Sequence, residues 1–117
     1  MISVGELAEW VIENRRGKAF YGYTFGKVID EIIECQKKDG LLIISDGPVI
    51  TGVICCEDRK EAKILFVYDI LTTSKKALKQ MLKYCIEHYP GYIIEGLKKT
   101  GKKRTFTNPT KLLCKLH

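Results

Sequence analysis

The chain has 117 residues, of which 45% are hydrophobic and 29% charged, with a formal net charge of +6. That length and balance suit one domain around one hydrophobic core and exclude an intrinsically disordered chain, which would be poorer in apolar residues and more one-sided in charge. Seven of the 20 Lys and Arg residues, and none of the 14 Asp and Glu, fall after residue 95, so a single domain over residues 1–117 is expected to carry a basic C-terminal segment at 96–117.

The first predicted element is a helix over residues 4–14, where Val4, Leu7, Ala8, Val11 and Ile12 share one face and Ser3 and Glu6 supply a capping box. Residues 15–23, with Gly17, Gly22 and three aromatics, read as a loop whose rings pack under the next helix or line a cleft. A second helix is predicted from an N-cap at Thr24 to about Lys38, with Phe25, Val28, Ile29, Ile32, Ile33 and Cys35 on or near one face and Gly40 just past its end. The texture then becomes β-rich: residues 41–45, a turn at Asp46-Gly47-Pro48, residues 49–56, a charged turn over 57–61, and residues 62–71. This pattern predicts a three-stranded antiparallel meander. In its third strand both alternating sets are apolar except at Asp69, which predicts a central strand buried on both faces.

Thr72, Thr73 and Ser74 offer N-caps for a third helix whose stripe is Ala77, Leu78, Met81, Leu82, Cys85 and Ile86. It ends near Tyr89-Pro90-Gly91, and residues 92–97 read as a strand parallel to 62–71 through a right-handed crossover. A short strand at 104–107 and a last element from Asn108-Pro109-Thr110 complete an α/β chain with a mixed sheet.

No apolar run approaches the roughly 18 residues needed to cross a bilayer, and the first residues have no signal-peptide pattern. A protein without membrane attachment, in the cytoplasm, or in the host cytoplasm or the virion if viral, is expected. Of five cysteines, Cys35, Cys55, Cys56 and Cys85 lie in apolar segments and are expected as reduced core residues, with Cys55 and Cys56 on opposite faces of a strand. There is no C-x-x-C and no His pair, so no metal site is expected; His88 and His117 read as surface residues.

The runs Gly47-Pro48-Val49-Ile50-Thr51-Gly52-Val53-Ile54, Ile64-Leu65-Phe66-Val67-Tyr68-Asp69-Ile70-Leu71 and Tyr92-Ile93-Ile94-Glu95-Gly96, in this order of elements, resemble the GNAT superfamily of N-acetyltransferases. The resemblance implies a V-shaped cleft between two splayed strands that takes acetyl-CoA. It places Ile70, Leu71, Thr72, Thr73, Ser74, Lys75 and Lys76 at the cofactor, where helix N–H groups favour a pyrophosphate. The family's glycine-rich signature is absent there, so a phosphate would have to rest on hydroxyls and the lysine pair; otherwise this is an ordinary helix cap with solvated lysines. Acyl transfer to an amine needs a base and an acid. The resemblance offers Asp69 and Glu95 as bases, the alternative being carboxylates at strand ends, exposed or paired with lysines. It puts Phe106 where the family often has a tyrosine acid, leaving Tyr68, Tyr89 or Tyr92 to substitute.

The tail from Lys102 to Leu113 is also similar to short phage GNAT-like proteins, some of them virion components. Three readings follow: a degenerate GNAT-like structural or accessory protein, as a homo-oligomer or bound to other virion or complex subunits; an acetyl-CoA-dependent N-acetyltransferase; and nucleic-acid binding through Lys98, Lys99, Lys102, Lys103 and Arg104.

Overall fold

The computed structural model describes residues 2–15, 19–97 and 104–116. Helix α1 (Val4–Asn14) buries Leu7, Ala8 and Val11 and starts at Ser3, whose hydroxyl accepts the Glu6 N–H. The capping box is only half formed, because Glu6 returns to the Ser3 hydroxyl, 3.1 Å away, rather than to its backbone N–H. Helix α2 (Phe25–Lys37) starts at Thr24, which accepts the Lys27 N–H, and buries Val28, Ile32 and Cys35.

The end of α2 differs from the sequence expectation in one respect. Asp39, not Gly40, holds the left-handed conformation at φ 54°; its N–H bonds to Gln36 O and that of Gly40 to Cys35 O, a Schellman turn. Gly40 is needed for another reason: a Cβ there would overlap the Cys56 carbonyl oxygen. The Gly40 carbonyl in turn accepts the Cys56 N–H at 2.8 Å. The last turn of α2 is thereby clamped to the sheet beside Cys55 and Cys56.

The five strands, β1 (Leu41–Asp46), β2 (Val49–Arg59), β3 (Ile64–Thr72), β4 (Ile93–Leu97) and β5 (Arg104–Thr107), lie in chain order across one mixed sheet. Both β2 contacts are antiparallel, β3 and β4 are parallel, and β5 returns antiparallel on β4. Helix α3 (Lys75–His88) is the crossover between β3 and β4, and α4 (Pro109–Lys115) follows an Asn108 cap. The predicted fold class, with two helices, a three-stranded meander, a crossover helix and further strands, is what the chain adopts.

Two irregularities set which residues face which side. On β2 the register jumps from Ile44↔Gly52 to Ser45↔Ile50, leaving Thr51 extra; on β3 it jumps from Cys55↔Asp69 to Cys56↔Val67, leaving Tyr68 extra. An extra residue reverses the alternation of a strand. Leu65 and Val67 therefore pack with α3, while Leu71 packs with α1 and α2. Asp69 interrupts an apolar set because the bulge turns it towards the α1/α2 side.

The core has two parts, one on each face of the sheet. Val53, Cys55 and Leu71 meet α1, α2 and Phe20 on one side; Ile54, Cys56 and Leu65 meet Ala77, Met81, Leu82 and Cys85 on the other. Cys55 and Cys56 do point to opposite faces. The charged turn expected at 57–61 is instead the end of β2, which runs on to Arg59 and turns at 60–63. Tertiary contacts overrode the local charge: the Arg59 guanidinium lies 4.3 Å from the Phe66 ring centre and Glu57 accepts the Tyr68 hydroxyl at 2.9 Å. No helix among the described residues is long and apolar enough to cross a membrane.

Candidate functional site

Strands β3 and β4 pair from Ile64↔Ile93 only as far as Val67↔Gly96. Beyond that point β3 continues through Tyr68 to Thr72, and among the described residues no strand pairs with its β4-side edge. The Tyr68 bulge follows the last β3–β4 pair. This end of the pairing, where β3 runs on towards the N-terminus of α3 and β4 ends at Leu97, is the candidate fork.

The two carboxylates expected as bases are both in the interior, at 3% exposure for Asp69 and 2% for Glu95. Neither is a solvated strand-end group. Asp69 Oδ1 accepts the Phe20 N–H at 3.0 Å, from a residue 49 positions earlier. Phe20 is fully buried and has φ 52°, a strained conformation for a bulky residue. Asp69 therefore fixes the segment between α1 and α2 onto the sheet. Glu95 stands opposite Phe66 on β3 and Phe106 on β5; its neighbour Ile94 packs on the α3 side, so Glu95 faces the other way.

At the fork's open end, the residues expected at the cofactor divide in two. Ile70 packs with the α3-side core and Leu71 is buried on the opposite face, while Thr72 pairs with Gly52. The Thr73 N–H and hydroxyl both donate to the Thr51 carbonyl, which the β2 bulge exposes, and the Ser74 hydroxyl accepts the Ala77 N–H as N-cap. Lys76 lies 3.4 Å from Asp46 in an exposed pair that contributes little. Lys75 is exposed at the first helical position. The hydroxyls thus organise the loop, and the positive end of α3 with Lys75 is what remains to attract an anion.

A pocket of about 490 Å³ opens between α2 and the bulge of β3, lined by Tyr23, Lys27, Asp30, Glu31, Glu34, Cys35, Lys38 and Tyr68. Lys27 stands over the Tyr23 ring at 4.6 Å and Lys38 pairs with Glu34 at 3.8 Å, so three carboxylates and two ammonium groups share the wall. Tyr68 lines this pocket and follows the last β3 residue paired with β4, and its hydroxyl donates to Glu57 on β2. Burial, then the hydrogen bond to Glu57, pushes its hydroxyl above the usual phenol range, so it stays protonated. Tyr89 and Tyr92, the other tyrosines considered as acids, contact one another at 5.3 Å beside α3 and pack with the opposite core. The pocket was not legible from the sequence, which treated Cys35 only as core; the polar Asp69 in an apolar alternation was the one local sign that β3 changes phase here.

Phe106 is 60% exposed on β5. Lys98, Lys99, Lys102 and Lys103 lie outside the described residues, and Arg104 enters the described backbone as the partner of Leu97. Among the described residues no group of His, Cys, Asp and Glu is arranged to hold a metal ion. Compared with family models, curated proteins and solved structures, the chain finds no match.

Proposed function

We propose that the chain is a GNAT-like domain that binds acetyl-CoA in the fork between β3 and β4 and acts as an N-acetyltransferase. The observation that carries this reading is that β3–β4 pairing stops at Val67↔Gly96, just before the Tyr68 bulge, on the strand that leads into the N-terminus of α3. Acetyl-CoA would supply the acetyl thioester. The β3 edge over residues 68–72 offers main-chain hydrogen bonds to its extended arm, and the first turn of α3 with Lys75 attracts its phosphates.

Tyr68, which lines the pocket and whose hydroxyl donates to Glu57 on β2, is the acid in this reading, in place of the tyrosine that Phe106 does not supply. The pocket carboxylates Asp30, Glu31 and Glu34 favour an ammonium-bearing acceptor. Asp69, with its bond to Phe20, acts as a positioning group for the fold rather than as the base. The test is release of the CoA thiol from acetyl-CoA, followed against a panel of primary amines. Amine-dependent release, lowered about 100-fold by Tyr68→Phe with folding intact, is the expected result; no release and no CoA binding would remove the proposal.

A second reading is a degenerate member serving as an accessory or virion component. It is favoured by the internal engagement of Asp69, Thr73 and Ser74 and by Phe106 standing exposed on a strand at the sheet's end. Light scattering of the purified chain separates the two, since this reading expects a stable homo-oligomer or a co-purifying partner without CoA binding.

A further inference from the structure

Two thiols lie in one core cluster beside the α2–β3 pocket. Cys35, in the last turn of α2, contributes to its lining, and Cys55, on β2, lies fully buried in the same core cluster. Their relative position is fixed by backbone: Gly40 donates to the Cys35 carbonyl at 2.7 Å and accepts from the Cys56 N–H at 2.8 Å, with no room for a side chain between. The end of α2 is thus held on the residue next to Cys55. The two thiols are placed to share a hydrogen bond.

That bond, with the Lys38 ammonium, holds the Cys35 thiol below its usual range, against burial and the carboxylates of Asp69 and Glu34. Cys55 is pushed upwards by the same hydrogen bond and by burial, with Glu31 and Asp69 adding to it. Cys35, on the pocket side, is thus eased towards ionisation while Cys55 behind it is held protonated, the arrangement of an attacking and a resolving cysteine. Cys56 and Cys85 sit on the other face and are pushed up to about 12 and about 11 by burial; Cys114 is exposed on α4.

We propose that Cys35 and Cys55 form a redox-active dithiol, in which hydrogen peroxide or a small alkyl hydroperoxide entering the pocket oxidises Cys35 and Cys55 closes a disulfide that ties α2 to β2. The Cys35 thiolate attacks one peroxide oxygen, the O–O bond breaks, hydroxide or alkoxide leaves, and a sulfenic acid forms. The Cys55 sulfur then attacks the Cys35 sulfur, the S–O bond breaks, and the hydroxyl departs as water with the Cys55 proton. In sum two thiols lose two electrons and two protons, and the peroxide becomes water and water or alcohol. This step is independent of acetyl-CoA.

The test treats the full chain carrying Cys114→Ser, which removes the exposed thiol, with hydrogen peroxide and reads intact mass and peptide maps. Loss of the two thiol hydrogens, a crosslinked peptide pair containing residues 35 and 55, and reversal by dithiothreitol are expected. Adding Cys35→Ser should slow peroxide-driven loss of the Cys55 thiol at least about tenfold. Mapping the unsubstituted chain gives the same readout without dependence on a variant's folding. Cys35 remaining a thiol, Cys35 oxidised while Cys55 stays free, or a bridge that includes any other cysteine would overturn the proposal.

Discussion

The two faces of the sheet are built on different principles. The α3 face is closed and apolar: Ile54, Cys56, Leu65, Met81, Leu82 and Cys85 fill it, and its thiols are held protonated by burial. The α1/α2 face contains the buried Asp69, the strained Phe20, the Cys35–Cys55 pair and the pocket. The bulge at Tyr68 makes the contrast possible, because it turns Asp69 away from the closed face. Both faces carry a buried core, but the polar and thiol groups with chemistry to offer lie on the α1/α2 side.

Substitutions that act on one face should therefore differ in kind as well as size. Leu82→Ala, at a fully buried site, should cost about 3 kcal/mol and lower the denaturant midpoint of the whole chain. A smaller and more local loss is expected for Asp69→Ala, about 1–3 kcal/mol, because the Phe20 N–H is left without its carboxylate. Hydrogen exchange should show residues 19–23 opening first in that variant, and Asp69→Asn, which keeps an acceptor oxygen, should lose less. Equal exchange across both faces would break the comparison.

Alkaline pH probes the closed face. Cys85 and Cys56 stay protonated in the fold up to about 11 and about 12, from an ordinary thiol value of 9.0. In the unfolded chain they ionise earlier, so their contribution is fully present below pH 9 and is lost as pH climbs towards 12. Melting temperature should hold below that window and fall within it, as folding stability drops by on the order of 2 kcal/mol per thiol at pH 11. Cys85→Ala should show a shallower fall.

What the sequence revealed was what adjacent residues decide. Ser3, Thr24 and Ser74 were readable as caps because each bonds a backbone N–H within three residues. The strand order and parallel crossover followed from apolar runs and turn residues. The end of β2 was misread because Glu57 and Arg59 look like a turn until Tyr68 and Phe66 are placed beside them. The role of Asp69 was hidden for the same reason, since its partner lies 49 residues away, and Cys35 and Cys55 meet only through the Gly40 clamp. The fork is a property of where pairing stops, which no residue type announces.

Amide hydrogen exchange with and without acetyl-CoA tests the central claim most directly. Binding in the fork predicts slower exchange within residues 68–72 on β3 and in the first turn of α3, with β1 unchanged. Unaltered exchange in those segments at saturating acetyl-CoA, or protection confined to the α3 face of the sheet, would contradict it.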